Sequence, residues 1–202
     1  QPESSAASDV YKRQDQIVVS TGAKQSIANV CMSLINKGDE VLIPTPYWVS
    51  YSAMVELAEG VPVFINPDED SNYKITAQQL DSAITDKTKM LMLNSPNNPS
   101  GSVFTEQEYL EFSKVLLKYP NIIIVSDEIY EHINYGVKSV SFASLPGMYD
   151  RTVSVNGISK AYAMTGWRIG YLGAPKVIAK ACNKMQGQIT SGAKLHCSKS
   201  YN

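Results

Sequence analysis

Ile122-Ile123-Ile124-Val125-Ser126-Asp127-Glu128-Ile129-Tyr130 is the stretch that decides the fold. A continuous apolar run of β-branched residues, too short for a helix and followed by Ser126 and then two acids, reads as a strand buried on both faces. Working outward, Met90-Leu91-Met92-Leu93 is a second such run. Thr105 with Glu108, and Thr76 with Gln79, are capping boxes that open the helices before and after it. Further toward the N-terminus, Val63-Phe64-Ile65, Val41-Leu42-Ile43 and Ile17-Val18-Val19 read as strands. Helices are expected over about Trp48 to Ala58 and over Ala23 to Asn36, the latter from the spacing of Ile27, Val30, Cys31, Leu34 and Ile35. Toward the C-terminus, Thr152-Val153-Ser154-Val155 and Ile169-Gly170-Tyr171-Leu172 complete the set. Strands alternating with helices predict an α/β domain, a mainly parallel sheet sandwiched by helices, over residues 15–193.

The ends do not share this patterning. Residues 1–14, QPESSAASDVYKRQ, read as a disordered or foreign extension. Residues 194–202, KLHCSKSYN, read as a tail in which a truncation or frame error is expected. The 202 residues, 44% of them hydrophobic and 18% charged, suffice for one sizeable core. A formal net charge of −1 gives no field to attract nucleic acid. No apolar run approaches the roughly 18 to 20 residues of a membrane span. Cys31, Cys182 and Cys197 are widely spaced and odd in number, which speaks against a disulfide framework and for a reducing cytoplasm. With His132 and His196 alone, no metal site is expected.

In sheets of this class, ligands bind on the loops that follow the strands. Thr21-Gly22-Ala23-Lys24 joins a strand to a helix N-terminus, whose free N–H groups suit a phosphate; alone the signal is weak and reads sooner as an ordinary turn. Asn94-Ser95-Pro96-Asn97-Asn98-Pro99-Ser100-Gly101 is a turn of fixed shape that could aim an amide at a ligand. Asp127 closes a buried strand and needs a partner, which a protonated ring nitrogen would supply. Lys160 follows another strand among small residues, where desolvation would make it a nucleophile. Arg168, eight residues later, could grip a phosphate in bidentate fashion.

Together the segments TGAKQ, PTPYWVSY, NSPNNPSG, SDEIYEH and SVNGISKAYAMTGWRIGY resemble, in order and spacing, the class I aminotransferases, enzymes of the aspartate aminotransferase fold that use pyridoxal 5′-phosphate (PLP). The likeness is greatest to the bacterial aspartate aminotransferase subgroup with G-x-K-Q in the first motif. It implies that Lys160 forms the aldimine with the cofactor and later moves a proton on the substrate, and that Asp127 keeps the pyridine nitrogen protonated. By the same resemblance Tyr130 and Asn98 would bond the ring's phenolic oxygen, and Trp48 would stack on the ring. Arg168 and the backbone at Gly22, Ala23 and Lys24 would hold the phosphate. Lys24, Trp48 and Asn98 would also meet the substrate, Lys24 by pairing with the side-chain carboxylate of aspartate or glutamate.

One departure from the pattern stands three residues before the lysine, where Gly157 replaces a serine or threonine hydroxyl of some members. The family's chains are longer. Their N-terminal arm, and a small domain carrying an arginine for the substrate α-carboxylate, are expected to be missing here, leaving this stretch inactive by itself. The resemblance implies amino-acid and 2-oxo-acid substrates and a homodimer. Aromatic, alanine or prephenate aminotransferases, carbon–sulfur lyases and a non-catalytic PLP-binding regulatory domain share the fold and stay open as alternatives.

Overall fold

The computed structural model describes residues 13–133 and 135–191. The extension over residues 1–14, apart from Arg13 and Gln14, and the tail over 194–202 with His196 and Cys197 lie outside the described residues. The elements follow in the order β1 (Ile17–Thr21), α1 (Ala23–Leu34), β2 (Glu40–Pro44), α2 (Ser50–Leu57), β3 (Val61–Ile65), α3 (Ala77–Ala83), β4 (Thr88–Asn94), α4 (Glu106–Leu116), β5 (Ile123–Asp127), β6 (Thr152–Gly157), β7 (Ile169–Gly173) and α5 (Lys176–Ile189). One sheet holds these strands in the order β1-β7-β6-β5-β4-β2-β3. From β6 through β3 every pairing is parallel, while β7 runs antiparallel to both β6 and β1.

The apolar runs are explained by burial on both faces. Met90 and Met92 of β4 point into a core with Val41, Ile43, Val125, Val153 and Val155, covered by α1, α2 and α5. Leu91 and Leu93 point the other way, into a core with Leu42, Ile124, Tyr109, Phe112 and Phe142. Alternate residues of one strand thus feed two layers, so a central strand cannot show polar alternation. Outside the centre the second face thins. Ile17 and Val19 of β1 and Tyr171 of β7 are exposed on the side away from α1.

Local signals set most boundaries. Thr76 Oγ1 accepts from Gln79 N at 3.2 Å and Gln79 Oε1 accepts from Thr76 N at 2.8 Å; Thr105 and Glu108 repeat the arrangement at 3.3 and 2.7 Å. Two helices are shorter than the spacing suggests. α1 stops at Leu34 because Ile35 is extended and buries its side chain in the core. α2 begins at Ser50, which leaves Trp48 in the preceding turn rather than on the helix.

Arg151 has no counterpart in the sequence reading. Its buried guanidinium donates to the carbonyls of Leu116, Tyr119 and Ile122. It thereby gathers the C-terminal end of α4 and the start of β5, where carbonyls lack helical partners.

Candidate active site

The parallel strands β4, β5 and β6 end side by side, and their connecting loops meet the start of α1 in one cleft of about 670 Å³ of partly solvent-open space. Asp127, the last residue of β5, is buried there. Its Oδ2 accepts from the Tyr51 hydroxyl at 2.6 Å and its Oδ1 from the Ile129 amide at 3.3 Å. Burial dominates over both donors and pushes the carboxyl up to about 6. Tyr51 is itself buried, and burial, followed by the neighbouring Asp127 charge, holds its phenol well above its ordinary value, so it stays a donor.

The turn after β4 is fixed through Asn94. Its Nδ2 donates to the Asp127 carbonyl at 2.9 Å and its Oδ1 accepts from the Asn98 amide at 2.7 Å. Asn98 in turn donates to the Tyr130 hydroxyl at 3.4 Å. Asn97 holds the rest of the turn, accepting from Ser100 N and Oγ and donating to the Pro46 carbonyl. Two amide side chains therefore tie the β4 loop, the β5 loop and the Pro46 turn together.

At the other end of the cleft stands the N-terminus of α1. Gly22 caps it at φ 82°, a left-handed conformation that favours glycine, and a Cβ there would collide with the Arg168 guanidinium. Arg168 itself sits at φ 54°, following a one-turn 3-10 segment at Thr165–Trp167, and donates to the Thr165 carbonyl at 2.9 Å. Left-handed backbone costs a non-glycine residue roughly 1–2 kcal/mol, and such strain gathers at ligand clamps. Gly170 allows this meeting of elements: a Cβ there would run into Gly22 C and Ala23 N.

Gly157 has a similar reason. A side chain at that position would press on Ile169 O at 2.8 Å and Gly170 Cα at 3.0 Å, so a hydroxyl is excluded by the close β6–β7 contact. The buried Ser159 lines the cleft nearby.

Of the residues picked out from the sequence, Ala23, Lys24, Trp48, Asn98, Asp127, Tyr130, Lys160 and Arg168 all line this cleft, and Gly22 adjoins it beneath Arg168. One expectation needs correction. Lys160 is exposed rather than desolvated, with its Nζ 5.8 Å from the centre of the Tyr130 ring, because its loop continues into the exposed segment 162–168. Lys24 is exposed too, its Nζ 5.0 Å from the centre of the Trp48 ring.

Sequence reasoning passed over Tyr51 and Asn94. Both lie inside the motif segments, but nothing in their spacing says that they meet Asp127. Outside the cleft, Cys31 and Cys182 are buried free thiols, pushed by burial up to about 12 and about 11. That is the opposite of an activated cysteine. Among the described residues no cluster suits a metal ion and no helix is long and apolar enough to cross a membrane.

Residues 6–199 match the family described as aminotransferase class I and II. The chain belongs to that family. It is 50% identical over 179 residues to an aspartate aminotransferase of Rhizobium meliloti, covering 88% of this chain and 44% of that protein. Similarity to a bifunctional aspartate aminotransferase and glutamate/aspartate-prephenate aminotransferase of Petunia hybrida is 49% over 180 residues, 89% of this chain and 38% of that protein. Among solved structures, the aspartate aminotransferase of Rhizobium meliloti superposes with a TM-score of 0.89 at 48% identity, covering 91% of this chain and 46% of the other. The chain thus spans less than half the length of these relatives.

Proposed function

We propose that the full-length protein is a PLP-dependent aminotransferase that moves an amino group from aspartate to a 2-oxo acid, 2-oxoglutarate first among the candidates. The observation that carries the reading is the meeting, in one cleft, of a buried carboxylate, an exposed lysine amine and an arginine lying over a helix N-terminus. The names of relatives about 50% identical support the substrate class.

The cleft residues suit PLP in kind. A phosphate fits the α1 N-terminus with Arg168, because free amides and a guanidinium converge there. The glycine at position 22 keeps that approach clear. A protonated pyridine nitrogen would give the buried Asp127 an ionic partner: its carboxylate accepts from the Tyr51 hydroxyl and the Ile129 amide and forms no ion pair among the described residues. Trp48 offers a flat apolar face, and Asn98 with Tyr130 offers two polar groups for a phenolic oxygen.

When bound, the cofactor supplies an electron sink for negative charge developing at the substrate Cα. The side chains do the remainder. Lys160 would hold the cofactor through its amine, and that amine would take up or return the proton at the substrate Cα. Asp127 keeps the ring nitrogen protonated. Lys24, at the mouth of the cleft over Trp48, pairs with the distal carboxylate of a dicarboxylic substrate. Prephenate stands as a second acceptor, favoured by the wording of several relatives' names. A reducing cytoplasm accords with the free thiols Cys31 and Cys182; the homodimer is implied by the resemblance alone, and light scattering on the full-length protein checks it.

The test is borohydride reduction of the full-length protein with PLP, followed by peptide mapping, together with steady-state kinetics on aspartate and 2-oxoglutarate. The label is expected on Lys160. A label on Lys24 instead, or no visible absorbance with PLP at any pH, sinks the assignment.

A further inference from the structure

Tyr51 stands on α2, and 76 positions separate it from Asp127 in sequence. The sheet order β5-β4-β2 brings the two together, because α2 follows β2 and folds back over the same face. The contact has three physical features. It is short, 2.6 Å from phenol oxygen to carboxylate Oδ2, within the range of a charge-assisted hydrogen bond. Both partners are buried, so no water competes for the carboxylate on that side. The Tyr51 ring also meets Trp48 edge-on, with centroids 5.5 Å apart and planes at 90°. One side chain therefore fixes both the carboxylate and the flat indole of the cleft.

The chemistry of the donor matters as much as its position. A lysine or arginine against Asp127 would neutralise it and leave nothing for a cationic ring nitrogen. A phenol donates a hydrogen bond and keeps the net charge of the pair at minus one. Of the other titratable groups in the cleft, Lys24 comes from α1, Tyr130 from the loop after β5, Lys160 from the loop after β6 and Arg168 from the start of β7. Glu128, next in the chain, turns its carboxylate away to Ser126, Ser141 and the Phe142 amide.

We propose that Tyr51 is a positioning residue whose neutral phenol orients the Asp127 carboxylate and holds it ionised, ready to pair with a protonated aromatic nitrogen. The last clause rests on the functional reading above; the first does not. Removing the hydroxyl leaves a buried carboxylate oxygen unsatisfied, which favours the protonated acid. Tyr51→Phe keeps the ring and its contact with Trp48 while removing only the donor. It is expected to raise the Asp127 titration midpoint by about one to two pH units, from about 6. Replacing Tyr51 with 3,5-difluorotyrosine makes the phenol a stronger donor and is expected to lower the midpoint.

The experiment is an isotope-edited infrared titration of full-length protein carrying carboxyl-labelled aspartate, with Asp127→Asn to assign the signal, before and after PLP is added. Opposite shifts in the two variants support the proposal. A midpoint unchanged in Tyr51→Phe, or both variants shifting the same way, overturns it, since a mere packing role has no reason to follow phenol acidity. If Tyr51→Phe fails to fold by circular dichroism, the difluorotyrosine arm decides alone, a fall in the midpoint supporting the proposal and no fall overturning it. Should PLP fail to bind while the titrations shift as expected, the aminotransferase reading fails and the Tyr51 assignment stands.

Discussion

Replacing Lys24 with alanine separates the contact this side chain makes with Trp48 from the pairing with a distal carboxylate proposed for it. Its ammonium lies 5.0 Å from the centre of the Trp48 ring, a cation–π geometry contributing roughly 0.5–1 kcal/mol at an exposed site. Lost by itself, that contact would loosen Trp48 and lower kcat/KM about two- to fivefold for every amino donor alike. Pairing with a distal carboxylate is different, because only dicarboxylic substrates have one. Hydrogen bonds to charged groups contribute roughly 1.5–3 kcal/mol. Lys24 is exposed at the first turn of α1, so water and salt hold the interaction to the lower end, about tenfold. In the full-length enzyme, Lys24→Ala is therefore expected to lower kcat/KM for aspartate about tenfold more than for alanine or phenylalanine. Steady-state kinetics at two salt concentrations measure this, and the aspartate-specific part should shrink as salt rises. Equal losses for both classes would refute the specificity role and leave Lys24 as a support for Trp48. No loss for either would remove it from the site.

Other perturbations probe the rest of the molecule. On the proposed function, Asp127→Ala should lower turnover of the full-length protein by orders of magnitude while weakening PLP binding far less, since the phosphate would be held at the other end of the cleft; spectroscopic titration beside single-turnover rates would show the split. Arg151→Met strands three carbonyls and should cost about 3–5 kcal/mol in denaturant unfolding, without altering the shape of the pH–rate profile. Burial raises Glu128 from 4.5 to about 7 despite its hydroxyl and amide donors. A carboxyl whose folded value is raised binds its proton more tightly when folded, so it favours folding below the unfolded value, and that contribution is lost as pH rises through the folded one. Wild-type stability should therefore fall between about pH 4.5 and 7 relative to Glu128→Gln, by up to about 3 kcal/mol; urea midpoints across that range would test it, and parallel curves would count against it.

The sequence made the strands legible where burial is complete. β4 and β5 announce themselves because both faces are packed, and the capping boxes at Thr76 and Thr105 mark helix starts through bonds made within four residues. What escaped depends on contacts distant in sequence. Arg151 resembles any charged residue before a strand until α4 brings its last carbonyls to it. Tyr51 passes for a core aromatic, and indeed packs as one, except that its hydroxyl reaches Asp127. The sequence predicts α2 from about Trp48, whereas the backbone turns there to present the indole to the cleft and the helix starts at Ser50. At Lys160 the small flanking residues suggest burial, but the loop opens outward and the lysine is exposed.

The direction of β7 was not visible in the sequence either, and it completes the cleft. Parallel strands bring their C-terminal ends to one edge, which accounts for Asn94, Asp127 and the loop carrying Lys160. A residue that precedes a strand, as Arg168 does, would lie at the opposite edge if that strand were parallel. Because β7 runs antiparallel to β6, its N-terminal end arrives where the others finish. β1, antiparallel to β7 in turn, ends at the same edge and delivers Gly22 and the start of α1 there. Two reversals in a five-residue strand pair thus place an arginine and a helix N-terminus against each other. Gly170 is the point where they nearly touch, since a Cβ there would meet Gly22 and Ala23. The end of the cleft proposed for a phosphate therefore depends on sheet topology as much as on the motif residues themselves.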